Sequence, residues 1–220
     1  MLVERFPAGP PATNCFVVAP GPGERCVVVD PGIDAVDQLD DVLARHRLRP
    51  AAVLLTHGHL DHTFSVVPVC GARDVPAWIH PDDRAQLTDP FTWLGVPPGT
   101  PLMGMRSLPT AEPADLRTLA DGDTLELAGL SLGVRHTPGH TLGSVVFTLD
   151  GPDAPLLFAG DLLFAGSIGR TDLPGGSYPA MLDSLTRVVL PMDDTTVVHP
   201  GHGPDTTIGR ERATNPYLRL

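Results

Sequence analysis

The chain has 220 residues, 42% of them hydrophobic, and a formal net charge of -11; that length suits one sizeable domain with a real core, and no apolar run approaches the ~20 residues of a membrane span. All 15 basic residues are arginine, which excludes a Schiff-base or Walker-type lysine, and the acidic balance would repel a nucleic-acid backbone unless a basic patch were concentrated somewhere. Cys15, Cys26 and Cys70 are odd in number and follow no CxxC spacing, so three buried free thiols are expected rather than a disulfide framework or thiolate metal site; without a basic and apolar leader, a cytoplasmic address is the default.

In chain order, "CFVVAP" and "RCVVVDPG" read as strands, followed by an amphipathic helix over 34–46. The strand "AAVLLTHG" then runs into "LLTHGHLDHTF" at 54–64, with a short helix after His62 and another over 81–88. Residues 90–113 are Pro-rich and follow neither strand nor helix periodicity, which predicts a long loop. Phe91, Trp93, Leu94, Met103 and Met105 would give that loop an apolar face, as a lid or as an excursion packed on itself. A hairpin-like pair is expected around 123–149, then the strand "PLLFAGD", a helix over 177–190 capped by Ser177 with Pro179 near its start, and the strand "TTVVHPGHG". Strands and helices alternate through much of the chain, so an α/β layered architecture follows, with the chemistry-capable residues at strand ends.

Those strand ends carry a specific pattern. His57, His59, Asp61 and His62 fall within six positions, and a chance H-x-H-x-D-H is expected about once in a thousand sequences of this length. Imidazoles suit zinc, iron and similar ions, and a carboxylate adds a charge-compensating oxygen. Later strands end in the same style, with His136 and His140 in "RHTPGHTLGS", Asp161 in "LLFAGDLLF", and His199 and His202 in "VVHPGHGPDT". Seven or more such ligands without sulfur suffice for two metals sharing a bridging carboxylate.

The motifs T-H-G-H-L-D-H at 56–62, T-P-G-H-T at 137–141, G-D at 160–161 and P-G-H-G at 200–203 resemble the metallo-β-lactamase superfamily. The stretches "TNCFVV", "VVVDPG", "GSIGRTDLPGG" and "TTIGRERATNP" are similar to its glyoxalase II-like branch, the hydroxyacylglutathione hydrolases. The resemblance implies an α/β fold of the αββα sandwich type, two mixed sheets flanked by helices, over a single domain of residues 1–220. The 18 residues after His202 are too few for the helical C-terminal domain of full-length relatives.

Carried onto this sequence, the family pattern puts His57, His59 and His140 on one divalent ion. It puts Asp61, His62 and His202 on a second, with Asp161 and a hydroxide bridging both. Zinc is the first choice of metal, with iron or manganese as alternatives. The implied reaction is hydrolysis of a small-molecule thioester, with Asp61 and Asp161 in the catalytic centre, no nucleic-acid or membrane partner, and no implied oligomeric state. Arg170 occupies the place of a basic residue that holds a carboxylate of the thiol carrier; the competing reading is an ion pair with Asp172, which stands where the family often has an aromatic residue. His136 and His199 lie outside the matched positions and are read as outer partners or structural residues, as is Asp30; His46 and His80 are read as structural. Arg210, Arg212 and Asn215 either help the thiol site or form a solvated terminal turn. A mononuclear iron persulfide dioxygenase, or a lactonase or phosphodiesterase on the same scaffold, is the alternative function.

Overall fold

Period-2 burial organises the N-terminal half. In β2 (Thr13–Ala19), Phe16 and Val18 point to one face while Cys15, Val17 and Ala19 point to the other, and in β3 (Arg25–Val29) Val27 and Val29 oppose Cys26 and Val28. Strands apolar on both faces must be covered on both, so a sheet of this kind sits inside a layered structure. The computed structural model, which describes residues 1–101 and 111–219, places β2 and β3 in a six-stranded sheet with β1 (Leu2–Ala8), β4 (Arg49–Leu54), β5 (Ala77–Ile79) and β6 (Leu116–Thr118), in the order β1-β2-β3-β4-β5-β6. The first three strands run antiparallel and β3 to β6 run parallel.

The second sheet has the order β14-β13-β10-β9-β8-β7, built from β7 (Thr124–Leu127), β8 (Leu130–His136), β9 (Val145–Asp150), β10 (Pro155–Gly160), β13 (Val197–Pro200) and β14 (Thr206–Thr207). Only β10 and β13 pair in parallel within it. A two-stranded ribbon, β11 (Leu163–Phe164) and β12 (Ser167–Ile168), lies beyond the end of β10.

Three apolar layers result. Phe16, Val27, Val29 and Leu54 meet Leu132, Val134, Phe147 and Phe158 between the sheets. The outer face of the first sheet is covered by Leu39, Val42 and Leu43 of α1 (Ala35–His46) and Val66 and Val69 of α3 (Val66–Arg73), which follows the single-turn α2 (Leu60–Thr63). The outer face of the second is covered by Met181 of α5 (Tyr178–Ser184) and Ile208 of α6 (Ile208–Thr214). The fold is the αββα sandwich, and the three cysteines are free and buried. Among the described residues no helix is long and apolar enough to cross a membrane.

Several elements differ from the sequence reading. The 81–88 segment is a 3-10 helix, Pro81–Leu87, with the His80 side chain accepting from Asp82 N at its start. Residues 123–149 form a three-stranded meander rather than a pair. The expected loop at 90–113 opens with a helical turn, α4 (Pro90–Trp93), capped by Asp89; Met103 and Met105 lie outside the described residues. The 177–190 helix is α5 followed by a π-helical turn at Leu185–Val189. The solvated terminal turn is instead α6, whose Glu211 and following Asn215 are fully buried.

Candidate metal centre

Strand ends of both sheets supply the site at one edge of the sandwich. The chain leaves β4 through Leu55 and Thr56, and His59 keeps an extended conformation before α2 begins, so His57 and His59 precede the helix while Asp61 and His62 lie on it. His140 follows β8, Asp161 follows β10, and His202 follows β13. Gly160, with φ of +47°, turns the chain into Asp161; a side chain there would also meet Thr56 Oγ1 at 2.6 Å.

The seven side chains converge in overlapping groups. His57, His59 and His140 bring one nitrogen each to within 4.8 Å of one another, and so do the ligand atoms of Asp61, His62 and His202, and of His57, His62 and Asp161. Asp161 stands between the sets, with Oδ2 3.4 Å from His140 Nε2 and 3.7 Å from His202 Nε2, and Oδ1 3.4 Å from His62 Nε2. Asp61 Oδ2 is 3.3 Å from His202 Nε2 and 3.6 Å from His62 Nε2.

The outer ring nitrogens explain which atoms face inward. His140 Nδ1 donates to the Arg170 carbonyl at 2.8 Å and His202 Nδ1 to the Pro11 carbonyl at 3.2 Å. His62 Nδ1 donates to Asp30 Oδ2 at 2.9 Å. The Thr56 hydroxyl gives its proton to Asp30 Oδ2 at 2.6 Å, so its oxygen accepts from His57 Nδ1 at 3.0 Å. A proton on each Nδ1 leaves a lone pair on each Nε2, the tautomer that suits metal ligation.

Two observations test the fit of a cation. Buried Nε2 atoms of His57, His59 and His140 and Oδ1 of Asp161 have no hydrogen-bond partner among the described residues, a costly arrangement in a folded core. His62 Nε2 also faces His202 Nε2 at 3.3 Å, where two lone pairs need a cation or proton between them. The donor set therefore fits divalent ions.

The protonation pattern of the bare side chains follows from the same packing. Burial, reinforced by the neighbouring imidazoles, holds His57 well below the usual histidine range and takes His59 down to about 3. At His62 burial opposes the charge, but Asp61 and Asp161 outweigh it and raise the pKa. His202 moves up in the same way, burial being outweighed by its contacts with Asp61 and Asp161. Burial works against the charge on Asp161 too, yet His62, His140 and His202 bring it down to about 2.

The other candidates fall outside this group. The Arg170 guanidinium forks onto Asp172 at 2.7 and 2.9 Å on the exposed surface, and only its backbone carbonyl touches a site residue. His136 donates from Nε2 to the Leu142 carbonyl and stacks on His80 at 4.1 Å. His199 packs against Phe16 and Phe158, with Nδ1 3.2 Å from Asp205, and His46 pairs with Glu4. Asp30 is an outer partner. The sequence reading missed Thr13, whose hydroxyl donates to Asp61 Oδ2 at 2.9 Å, and Asn14, which joins β2 to the His202 loop through the Pro200 and Gly203 carbonyls. Both lie in "TNCFVV", where strand periodicity alone gives no sign of their distant partners.

Two groups of side chains able to hold a metal ion, with a carboxylate between them on one edge of an αββα sandwich, fit the metallo-hydrolase class. The chain belongs to the metallo-beta-lactamase superfamily, whose family model matches residues 8–202. Among its relatives is the hydroxyacylglutathione hydrolase GloC of Haemophilus influenzae, 31% identical over 99% of this chain and 98% of that one. Among solved structures, the BLEG-1 B3 metallo-beta-lactamase superposes with a TM-score of 0.87 at 38% identity, covering 100% of both chains. TTHA1623 in a di-iron-bound form gives a TM-score of 0.78 at 36% identity, over 98% of this chain and 100% of that one.

Proposed function

We propose that this protein is a two-metal hydrolase that cleaves a thioester of a low-molecular-weight thiol. The observation that carries the reading is two groups of three side chains, each able to hold a metal ion, on either side of Asp161; the likeness to GloC over nearly the full length of both chains supports the thioester. In this reading His57, His59 and His140 would hold one ion and Asp61, His62 and His202 the other, with Asp161 available to both. Zinc or iron suits the histidine-rich sets, and the di-iron form of TTHA1623 keeps iron in view. When bound, such ions lower the pKa of water toward ~7 and polarise a carbonyl.

The protein's own residues then orient and exclude. Thr13 fixes the Asp61 carboxylate by its hydroxyl, and Asp30 fixes the His62 ring directly and the His57 ring through Thr56. His202 is the most open of the ligands measured, with 29% of its side chain accessible against 18% for Asp61 and 4% for His140, so substrate enters on the Asp61 and His202 side. Phe164 stands edge-on to His202 on that side, with the ring centroids 6.0 Å apart. A thiolate leaves with little need for protonation, so no further general acid is required. Arg170 serves as a carboxylate anchor by exchanging partners, because an exposed ion pair such as Arg170–Asp172 is screened by water and held only weakly. Three free, buried cysteines support a cytoplasmic setting for this chemistry.

The test is a substrate panel with the purified, metal-loaded protein, in which acyl-thiol esters are compared with lactones, phosphodiesters and a β-lactam. Thioester hydrolysis well above the other classes is expected. Failure on every thioester would overturn the reading, and a single iron with thiol-dependent oxygen uptake would replace it with a dioxygenase.

A further inference from the structure

The two ligand sets share Asp30, which reaches His62 directly and His57 through Thr56, but their other supports are separate. Thr13, Asn14, the Pro11 carbonyl and the direct bond from Asp30 act on Asp61, His62 and His202. On the other side a single buried carboxylate, Asp83, joins the two loops that supply His57, His59 and His140. Its Oδ2 accepts from Gly58 N, between His57 and His59, at 2.8 Å, and from the Thr141 hydroxyl, next to His140, at 2.6 Å. Its Oδ1 accepts from Gly143 N at 2.7 Å. Asp83 is fully buried, and these are donors that an anion can satisfy together.

The approach is close enough to dictate the neighbouring sequence. A Cβ at Gly58 would lie 2.7 Å from the Asp83 carbonyl oxygen, and one at Gly143 would lie 2.7 Å from Asp83 N. Both loops are therefore glycine where the 3-10 helix carrying Asp83 presses on them. Burial raises the Asp83 pKa, opposed by its hydrogen bonds from Thr141, Gly143 N and Gly58 N, and as a carboxylate it brings negative charge to a set of three histidines that carries none.

From this geometry we infer that Asp83 is the positioning residue of the three-histidine set: it locks His57, His59 and His140 into one arrangement and sets the metal affinity of that set alone. The inference rests on the assignment of His57, His59 and His140 as a ligand set, and it adds a residue from a segment that carries no ligand. Asp83 touches no reacting atom, so its effect is on metal affinity.

The experiment uses Co2+ alone as probe, followed by its visible absorption, in two backgrounds of the full chain. His202→Ala disables the Asp61, His62 and His202 set, and His140→Ala disables the other. Adding Asp83→Asn keeps the side-chain volume but removes the charge and the capacity to accept from all three donors. Loss of such an outer partner typically weakens metal binding about 10- to 100-fold. That fall is expected in the His202→Ala background, with affinity unchanged in the His140→Ala background. Equal weakening in both would show a general structural role and overturn the inference, as would no effect in either. If Asp83→Asn does not fold, Thr141→Val withdraws one donor from the carboxylate, and the same background-selective loss, smaller in size, decides the question. A parent protein that takes up only one equivalent of Co2+ overturns the two-ion reading, while the fall on adding Asp83→Asn still decides the role of Asp83.

Discussion

Gly201 tests the geometry of the centre without replacing a ligand. A methyl group placed on it would lie against Asp161 Oδ1, far inside contact distance, and 2.7 Å from His62 Cε1. Non-bonded carbons come to rest at about 3.5 Å, so the His62 ring must yield by close to 1 Å and the Asp161 carboxylate by more. The backbone cannot retreat instead, since Gly201 N donates to the Gly160 carbonyl at 2.8 Å and its carbonyl accepts from Asn14 N at 2.7 Å. Misplacement by about 1 Å in a catalytic constellation costs on the order of 100-fold in rate. Gly201→Ala is therefore expected to fold, to lose bound metal, and to hydrolyse thioesters about 100-fold more slowly. Elemental analysis, circular dichroism and steady-state rates on one preparation measure all three. Full metal content with unchanged turnover in the folded variant would refute the placement of Asp161 and His62 at the centre.

Other expectations follow from the same geometry. Asp161→Ala removes the carboxylate between the two sets, so metal content and hydrolysis should fall together, by about 100-fold or more in rate; full activity would undo the bridging role. On acidification the Asp61, His62 and His202 set should release its ion first, because the neighbouring carboxylates raise the pKa of both His62 and His202 and the proton competes with the cation. His57 and His59 stay neutral well into acid, His59 down to about 3, so metal titrations at stepped pH should resolve two releases, and the reverse order would contradict the assignment. Arg170→Ala should raise KM for a carboxylate-bearing thioester and leave kcat and metal content alone, since only the Arg170 backbone carbonyl holds His140. A changed metal content would show that the side chain, not the carbonyl, supports the centre.

What could be read from the sequence was whatever local pattern determines. The α1 helix announces itself because Leu39, Val42 and Leu43 recur on one face, and the seven residues of the centre lie in compact strand-end motifs. The π-helical turn at Leu185–Val189 and the one-turn α4 depend on how neighbouring layers fit, and β6 has three residues and one partner strand. β1 carries Pro7 and three partly exposed residues, which hide its strand character; as an edge strand it has a partner on one side only. The tail looked polar because Glu211 and Asn215 are polar. In the fold the Glu211 carboxylate takes up the Thr206 hydroxyl, Gly166 N and Asn215 Nδ2, while Asn215 also reaches the Ser167 carbonyl. Asp83 was invisible for a similar reason, as its three donors come from loops 25 to 60 residues away along the chain.

The most direct measurement is anomalous diffraction from crystals of the metal-loaded protein, collected at the absorption edge of the bound element. Two peaks are expected, one ringed by His57, His59 and His140 and one by Asp61, His62 and His202, with Asp161 reaching both. A single peak, or peaks away from these seven side chains, would contradict the two-ion centre.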